Sequence, residues 1–526
     1  MSSIIPLSST ALKTISKNIK IPLYKRTNIV PSIVHFGVGN FCRSHLFENT
    51  HHVNNQLDRH MSDEKPWLIH GIGVLNNKFE RNAWEKLQSN DFLYGLLTLP
   101  SNKCEIIGSL CSYDWIPHSN STLISAINSI SRPETKIITL TITEKGYCMD
   151  IEGNLDFKNP DVKHDLTLLT TNKENKTTAT NNNNNIATLS SSYKTSLGLL
   201  IGGLIQRKAN ESAGPVTILS CDNLPSNGDV LKSILLEFIL KTDNDELLAY
   251  VEENISFPNS MVDRITPGVT DETVSMFEKQ TNVADPLPVI AEDFTQWVVE
   301  DNFLAGRPSW EDIEDNNILF VDDCEPYECM KLRLLNASHS AMAYLSILAG
   351  HTKVDEALTN DNVYQYVKSY MDMATSTVPD VPGIDVEEYK KILRFRFSNL
   401  SDDLSRLAQD GSKKMIGFIL PSLEIKLQNN ESTEQIASVI ASWICYLNEM
   451  DENDIDDPRK NELIDLSRKI MSDSSTIKEF IHSTLGDHIS KEEQFLQQIK
   501  KYLNIIENDG VEKGILDQHE FFKSKV

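Results

Sequence analysis

Three polar residues, Lys331, Asn336 and His339, interrupt an otherwise apolar segment that runs from Tyr327 to Leu345. At about 100° per residue in an α-helix, Asn336 lies about 140° and His339 about 80° from Lys331, so all three can face one cleft. Polar groups on a buried helical face are costly without partners, which favours a shared site. A lysine that is desolvated there has a lowered pKa, which suits a general base acting on an alcohol. A single buried histidine is also typical of a core, so spacing alone leaves a structural role open.

A second polar group, SCDNLPSNG, follows the apolar run Val216 to Ser220. Ligands of open α/β sheets bind beyond the carboxyl ends of strands, so this position predicts a site. Asn223 is the better candidate within it, because an amide can donate to a developing alkoxide without titrating. Asp222, Asn223 and Asn227 are also consistent with ordinary turn chemistry, and Asn227 before glycine is typical of a turn.

The segment IVHFGVGNFCR, Ile33 to Arg43, indicates a strand, a tight turn and a helix. Glycines at Gly37 and Gly39 would let a cofactor pyrophosphate approach the backbone at a helix N-terminus, where free N–H groups favour anions. The third glycine of G-x-G-x-x-G is replaced by Cys42, so the motif alone also fits an ordinary turn. The surrounding alternation of strands and helices favours a dinucleotide site.

No acidic residue directly follows the second strand of this pattern, Trp67 to Leu75, where it would bond the ribose hydroxyls. Asn76, Asn77 and Lys78 stand there instead, with Arg81 close behind. An amide can bond a ribose hydroxyl, and the two cations could offset a 2′-phosphate or lie on a solvated helix face. The sequence therefore leaves the choice between NAD and NADP open.

Apolar runs alternate with helical patterns in the first half, which predicts βαβ units and a mostly parallel sheet. From about residue 265 the apolar spacing changes to three and four, which predicts helices over residues 325–349, 387–397, 434–447 and 491–506. We therefore expect an α/β protein with a doubly wound, cofactor-binding domain over residues 1–260 and a mainly helical substrate and catalytic domain over residues 261–526.

Residues 170–192 contain the run Asn181 to Asn185 among Thr, Ser and Lys. So polar a segment cannot bury enough apolar surface to offset its ordering entropy. We expect a disordered surface insertion in the first domain.

The overall charge restricts the partners. The chain has 526 residues, with 50 Lys and Arg against 75 Asp and Glu, and a formal net charge of −25 at pH 7. This charge repels phosphate backbones and anionic lipid, so neither nucleic acid nor membrane is expected as a partner. No stretch approaches the ~18 apolar residues of a membrane span, and residues 1–20 lack the apolar core of a secretory signal, which together predict a cytoplasmic protein. The eight scattered cysteines form no C-x-x-C pair, which predicts reduced thiols and no metal site.

Taken in order, seven stretches resemble the polyol-specific long-chain dehydrogenases. They are IVHFGVGNFCRSH (33–45), TITEKGY (141–147), SCDNLPSNG (220–228), FPNSMVDRITP (257–267), DPLPVIAEDFTQWVVEDNF (285–303), KLRLLNASHSAM (331–342) and DGSKKM (410–415). The set spans most of the chain and is very specific. The resemblance implies a Rossmann-like N-terminal domain, a largely helical C-terminal domain, and a site in the cleft between them that works without metal.

The resemblance also implies roles for individual residues. Lys331 would be the general base, Asn223 and Asn336 would hold the substrate oxygen, and His339 would orient the substrate and the lysine. The expected substrate-binding residues are Asp263, Arg406 and Lys414; Glu144 would gate proton exit; and the expected cofactor-binding residues are Gly37, Gly39, Asn40, Phe41, Arg43, Asn76 and Asn77. The chain departs from the family pattern at Cys42, where a histidine is usual, and near Asn76 and Asn77, where an acid is common.

The activity that this implies is an NAD(P)-dependent interconversion of a polyol and a ketose, with D-mannitol and D-fructose as the expected pair. Sister activities on a sugar acid, such as mannonate and fructuronate, or on a pentitol remain open, because Arg406 and Lys414 suit a carboxylate as well as hydroxyls. A cofactor-binding protein without catalysis is the alternative from another class. Retention of Lys331, Asn336, His339 and Asn223 together argues against it. The family resemblance also implies a monomer.

Overall fold

The computed structural model describes residues 4–57, 65–150, 152–175, 193–314, 317–399 and 402–512. The chain forms two compact units, unit 1 from Met1 to Cys324 and unit 2 from Glu325 to Val526. The strands are β1 Ile5–Pro6, β2 Ile33–Phe36, β3 Ile69–Gly73, β4 Tyr94–Leu99, β5 Lys103–Ile107, β6 Leu110–Trp115, β7 Ile137–Leu140, β8 Val216–Ser220, β9 Ile255–Ser256, β10 Ser260–Asp263, β11 Val283–Ala284, β12 Val289–Glu292, β13 Gln296–Glu300 and β14 Asn317–Val321.

The α-helices of unit 1 are α1 Asn40–Ser44, α2 Leu46–Gln56, α3 Lys78–Ser89, α4 Asn120–Ser131, α5 Thr143–Gly146, α6 Pro160–Asn175, α7 Ser196–Ala209, α8 Asn227–Leu240, α9 Asp245–Asn254 and α10 Asp271–Thr281. Those of unit 2 are α11 Glu325–Lys331, α12 Ala337–Leu348, α13 Val354–Leu358, α14 Asp361–Thr375, α15 Val386–Asn399, α16 Leu404–Ala408, α17 Gly411–Lys414, α18 Leu420–Gln428, α19 Glu434–Glu449, α20 Lys460–Ser472, α21 Ile477–Leu485 and α22 Glu493–Val511. Two π-helical segments, Leu332–Asn336 and Met415–Ile419, interrupt the helices of unit 2.

The main sheet of unit 1 has six strands in the order β6-β3-β2-β7-β8-β9, and every neighbouring pair is parallel. This is the doubly wound order of a Rossmann fold, with the first strand of the pattern, β2, at the centre. Strands β2, β3, β7 and β8 are buried at every position, as the continuous apolar runs predicted for a sheet covered on both faces. The register aligns Phe36 with Leu140 and Leu140 with Ser220, so the carboxyl ends of β2, β7 and β8 meet at one edge.

Residues 261–324 complete unit 1 instead of beginning the helical unit. Strand β12 pairs with β4, and β13 lies between β10 and β14. Helix α10 lies in this stretch, but strands β11 to β14 follow it, so the expectation of a mainly helical domain from about residue 265 is wrong for the residues up to 324. The boundary between the compact units lies at Cys324, later than the predicted 260. The strands here are at most five residues long, and runs this short are ambiguous between strand and helix by periodicity.

The predicted insertion at residues 170–192 lies only partly within the described structure. Residues 170–175 form the last turns of α6, where the Thr170 hydroxyl donates to Leu166 O at 2.9 Å. This part of the prediction is wrong, because the helical ladder continues through it. Residues 176–192, which include the asparagine run, lie outside the described residues.

Unit 2 is helical, as predicted, and the expected helices near residues 387, 434 and 491 correspond to α15, α19 and α22. The predicted helix over residues 325–349 is interrupted by the π segment Leu332–Asn336, in which the Ala337 N–H bonds Leu332 O, five residues back. No helix among the described residues is both long and apolar enough to cross a membrane.

Candidate active site

The glycine turn that follows β2 requires a glycine at Gly37 and leaves open space at Gly39. Gly37 has φ +88°, and a Cβ there would lie 2.2 Å from Thr141 O, so no other residue fits. Gly39 precedes α1 as its N-cap, and a Cβ added to it would meet nothing within 4 Å. The turn therefore leaves open space over backbone N–H groups at the start of a helix, which suits a pyrophosphate.

Buried donors hold this turn from within the sheet. The Gly37 carbonyl accepts the Thr141 hydroxyl at 2.7 Å and approaches Nε2 of His35 at 3.1 Å. A carbonyl can only accept, so Nε2 carries the ring proton, and Nδ1, 2.7 Å from Thr139 Oγ1, is the acceptor. Complete burial lowers the pKa of His35 to about 3, so the ring stays neutral. Sequence reasoning missed His35, although a histidine within an otherwise apolar strand is a visible signal.

Cys42, which the sequence places at the third position of the glycine motif, also supports the turn. Its thiol lies 3.3 Å from Gly39 O and 3.5 Å from Gly37 O, within donating distance of both carbonyls. Burial raises the pKa of the thiol to about 12, so it remains a donor. Cys42 therefore places a hydrogen-bond donor under the turn.

Two of the residues predicted to bind the cofactor form internal bonds. Arg43 is buried, and it donates to Gly39 O at 3.2 Å, Leu287 O at 2.7 Å and Asn40 Oδ1 at 2.7 Å. Asn40 in turn donates to Pro267 O at 3.3 Å, and Phe41 stacks on the His45 ring with centroids 5.0 Å apart. The guanidinium of Arg43 already donates to two carbonyl oxygens and one amide oxygen. Arg43 therefore stabilises the turn, and its guanidinium is not directed at a phosphate.

The end of β3 carries the two predicted asparagines. Asn77 is the N-cap of α3 and accepts from Glu80 N at 2.8 Å, while Asn76 is exposed. Sequence reasoning missed Glu80, whose carboxyl turns inward; a Cβ at Gly73 would lie 2.9 Å from Glu80 Oε2. Burial raises the pKa of the Glu80 carboxyl to about 7. An acidic residue therefore lies near this strand end, but its carboxyl faces the protein interior.

Glu144 and Asn223 lie at the carboxyl edge of the same sheet. Glu144 belongs to the short helix α5 after β7, Asn223 follows β8, and both are exposed. Asp222, taken from the sequence as a turn residue, binds the two segments together: it accepts from Ile142 N and Thr143 N. Asp263 ends β10, 5% exposed.

In unit 2 the π segment separates Lys331 from Asn336. Each residue of a π turn bonds the residue five positions back, so Asn336 lies about one turn from Lys331 and closer to its face than an α-helix would allow. Lys331 is 6% exposed, and Asn336 Oδ1 is buried with no hydrogen-bond partner in the part of the chain that the structure describes. His339 packs its ring against Phe397 with centroids 4.3 Å apart. Lys331, Asn336 and His339 thus share one stretch of unit 2. Within the described residues, the amide oxygen of Asn336 is an acceptor without a hydrogen-bond partner.

Lys414 and Arg406 differ in their surroundings. Lys414 is half-buried, donates to Leu407 O at 2.8 Å and directly precedes the second π segment, which packs against the first. Arg406 is exposed and pairs with Asp402 at 2.7 Å. Unit 2 therefore brings the Lys414 segment beside that of Lys331 and Asn336, whereas Arg406 reaches toward solvent. Within the described ranges, no group of three or more His, Cys, Asp and Glu side chains is arranged to hold a metal ion.

Two family models match this chain and divide it as the structure does. The mannitol dehydrogenase Rossmann domain matches residues 31–312, and the mannitol dehydrogenase C-terminal domain matches residues 323–507. The chain belongs to the mannitol dehydrogenase family. As a member of this family it is an oxidoreductase, as the motifs predicted.

Relatives within the mannitol dehydrogenase family match nearly the whole chain. Mannitol 2-dehydrogenase of Phaeosphaeria nodorum is 32% identical over 509 residues, 95% of this chain and 83% of the relative. Mannitol dehydrogenase 2 of Saccharomyces cerevisiae is 32% identical over 526 residues, 97% of this chain and 98% of the relative. The family assignment therefore rests on both units.

Solved structures show the same fold. The Pseudomonas fluorescens mannitol 2-dehydrogenase ternary complex with NAD and D-mannitol matches with a TM-score of 0.81 and 32% identity, covering 99% of this chain and 100% of that one. A substrate-free D-sorbitol dehydrogenase matches with a TM-score of 0.79 and 29% identity, covering 97% of this chain and 100% of that one.

Proposed function

We propose that this protein is an NAD-dependent polyol dehydrogenase that interconverts D-mannitol and D-fructose. The observation that carries the proposal is the Lys331 to His339 stretch, where a buried lysine and an amide oxygen without a partner lie about one π turn apart. The similarity to a structure that contains NAD and D-mannitol supports the choice of cofactor and substrate.

The chemistry follows from the residue types. In the oxidation direction neutral Lys331 removes the hydroxyl proton from the carbinol that becomes the carbonyl. The Nδ2 group of Asn336, with that of Asn223 in the same role, donates to the developing oxyanion, because an amide oxygen such as Asn336 Oδ1 can only accept. His339 orients the alcohol and the lysine. Bound NAD supplies the hydride acceptor. In the reverse direction protonated Lys331 returns its proton to the ketose oxygen, so amides and an ammonium do the work that a Lewis-acid metal does elsewhere.

The glycine turn is the part of unit 1 that fits NAD. Gly39 leaves the space that a pyrophosphate needs, and Gly37 is fixed by His35 and Thr141. Asn76 and Asn77 present no negative charge to a 2′-phosphate, so NADPH is expected to be tolerated as a second cofactor. Asp263 and Lys414 are assigned to the other polyol hydroxyls, Arg406 to the outer end of the substrate, and Glu144 to proton exit.

Two alternatives remain within the same chemistry. The similarity to D-sorbitol dehydrogenase favours a second hexitol as a candidate substrate. A sugar acid of the mannonate and fructuronate type, or a pentitol, would use the same base, with Arg406 or Lys414 facing the carboxylate in the first case.

A substrate panel tests the proposal. The purified protein is given NAD with D-mannitol, D-sorbitol, mannonate or arabinitol, and NADH or NADPH with D-fructose, fructuronate or a pentulose. The proposal predicts the highest kcat/KM for the mannitol and fructose pair with NADH. A higher value for another pair would change the substrate and keep the mechanism, whereas no turnover with any pair would favour a cofactor-binding protein without catalysis.

A cytoplasmic location and a monomeric state complete the proposal. The eight cysteines are all free thiols, which fits a reducing compartment. Light scattering on the eluted peak from a sizing column should give the mass of one chain, and a doubled mass would contradict the monomer.

A further inference from the structure

The carboxylate of Asp222 ties the end of β8 to the segment that follows β7. The strand ladder ends where Cys221 N donates to Leu140 O at 2.8 Å. Beyond that point Asp222 Oδ1 accepts from Thr143 N at 2.8 Å and Oδ2 accepts from Ile142 N at 3.1 Å. Asp222 is 7% exposed, so its carboxylate replaces the ladder bonds that the two diverging strands no longer make.

A closed ring of hydrogen bonds fixes that carboxylate. The Tyr147 hydroxyl lies 2.9 Å from Asp222 Oδ2, to which it donates, because a carboxylate only accepts. The Tyr147 hydroxyl has one proton, which it donates to Asp222. The Ser220 hydroxyl, 2.6 Å away, must therefore be the donor to Tyr147. Asp222 N in turn donates to Ser220 Oγ at 3.3 Å, which closes the ring. Networks of this kind in a buried setting are worth more than their separate bonds.

The segment held in this way is conformationally demanding. Thr143 has φ +61°, in the left-handed region that residues with a Cβ avoid. The carboxylate bond to its N–H compensates this conformation at the start of α5, which carries Glu144. Asn223 follows Asp222 directly in the chain. One side chain therefore determines how the segments bearing Glu144 and Asn223 lie relative to each other.

We propose that Asp222 is a positioning residue, which sets the geometry of the proton-exit residue Glu144 and the oxyanion donor Asn223 without touching substrate or cofactor. This inference rests on the proposed function. Thr141 is anchored separately, through its N–H to Phe36 O at 2.9 Å, so the glycine turn does not depend on the clamp. Loss of the clamp should therefore affect turnover and leave NADH binding nearly unchanged.

The ionisation of Asp222 gives the clamp a pH dependence. Burial raises the pKa of Asp222 to about 6, and the negative charge of Glu144 adds to the rise. The other titratable neighbours stay neutral, because burial raises the pKa of Tyr147 and of the Cys221 thiol. As the pH falls below about 6, protonation removes an acceptor from the ring, and kcat for D-fructose reduction should fall with it, although protonated Lys331 is the form that this direction uses.

The test compares Asp222→Asn and Tyr147→Phe with the wild type. Asp222→Asn turns one acceptor into a donor that faces a backbone N–H. A shift of about 1 Å in a reacting group can lower turnover about 100-fold, and this is the expected loss of kcat. Tyr147→Phe removes one of the bonds to the carboxylate and leaves both backbone bonds in place, so it should lower kcat less, by about 3–10-fold. In both variants the dissociation constant for NADH should stay within about twofold, far less than the tenfold that 1.4 kcal/mol would give.

Asp165→Asn is the matched control. Asp165 is also fully buried, and it accepts from Lys194 N at 2.9 Å and from the Thr195 N–H and hydroxyl, both at 2.8 Å. The control therefore loses the same kind of clamp in α6, where no proposed site residue lies. It should lose stability and keep kcat. In D-fructose reduction, where Lys331 acts in its protonated form, it should also keep the decrease of kcat below about pH 6 that Asp222→Asn abolishes.

Amide hydrogen exchange in peptides covering residues 140–149 separates the possible outcomes. Faster exchange there, with lower kcat in an active wild-type background, supports the proposal, and Tyr147→Phe decides if Asp222→Asn does not fold. Retained kcat despite faster exchange would overturn it. If the wild type turns over no substrate, the proposed function fails, yet unchanged exchange at Ile142 and Thr143 would still refute the clamp on its own.

Discussion

The carboxyl edge of the sheet in unit 1 and the Lys331 to His339 stretch of unit 2 use polar groups in opposite ways. At the sheet edge the Gly37 carbonyl is bonded by His35 and Thr141, and the Asp222 carboxylate accepts two backbone amides and a hydroxyl. In unit 2, Asn336 Oδ1 is buried and lacks a partner among the described residues. The first region fixes a backbone, whereas the second leaves an amide oxygen without a partner, in a stretch that the proposed function assigns to the substrate.

The difference has a thermodynamic cost. A buried polar atom without a partner destabilises a fold by about 1–3 kcal/mol, so each one calls for an explanation, such as a bound water or a ligand. The π segment next to Asn336 favours a ligand, because single π turns inside α-helices occur frequently at functional sites. Stability and activity should therefore respond oppositely to substitutions in the two regions.

The largest effect is expected from Lys331→Met, which removes the proposed base and keeps an apolar stem of similar length. General acid–base catalysis contributes about 10²–10⁴-fold, so kcat should fall by about that factor while NADH still binds. Steady-state kinetics and NADH fluorescence titration measure the two quantities. Lys390→Met is the control: Lys390 is also a buried lysine of unit 2, but it pairs with Asp372 and Glu387, so its loss should lower stability and spare kcat.

Asn336→Leu should give the clearest contrast between the regions. It removes the oxyanion donor, which is worth about 10²–10³ in kcat, and with it the buried Oδ1 without a partner. The melting temperature of the free protein should stay the same or rise. A marked loss of stability would mean that Asn336 is a structural residue.

His35→Phe should do the reverse of Asn336→Leu: it should lower the stability of the protein and leave kcat at saturating NADH nearly unchanged. It removes the Nδ1 partner of the buried Thr139 hydroxyl, which keeps only a 3.4 Å contact with Val34 O, and a buried group short of a partner costs about 1–3 kcal/mol in the free energy of unfolding. The glycine turn loosens, and NADH binding should weaken about tenfold, equal to 1.4 kcal/mol, with kcat at saturating NADH retained. Unaltered NADH affinity would contradict the role given to His35.

The same variant should change the pH dependence of stability. Native His35 has a pKa of about 3 because it is buried, whereas the unfolded chain protonates it near 6.5. Protonation therefore favours the unfolded chain, and stability decreases as the pH falls from about 6.5 toward 3. Melting curves over this range should show a shallower decrease in His35→Phe. Part of the slope should remain, because burial lowers the pKa of His51 to about 3 as well.

The smallest effect is expected from Asn77→Asp. An aspartate can keep the cap on Glu80 N, and it adds an exposed negative charge at the end of β3. Repulsion of a 2′-phosphate should lower kcat/KM with NADPH about three- to fivefold more than with NADH, which corresponds to roughly 1 kcal/mol at an exposed site. Equal changes with both cofactors would place the ribose away from Asn77.

The sequence predicted the features that depend on periodicity. The parallel strands β2, β3, β7 and β8, and the helical character of unit 2, appear where the apolar patterns indicated. It did not reveal the π segment, which changes the angle between Lys331 and Asn336, because residue spacing is silent about hydrogen-bond register. The bonding of Arg43 to carbonyls and the clamp by Asp222 depend on contacts between residues far apart in the chain, which one sequence does not show.

The most direct test of the account follows the loss of NADH absorbance when chelator-dialysed protein meets D-fructose, with wild type and Lys331→Met compared at equal NADH occupancy. We expect steady turnover by the wild type without added metal, and a folded, NADH-binding variant that is slower by about 10²–10⁴-fold. Equal rates for the two proteins, or wild-type turnover only after zinc is restored, would contradict it.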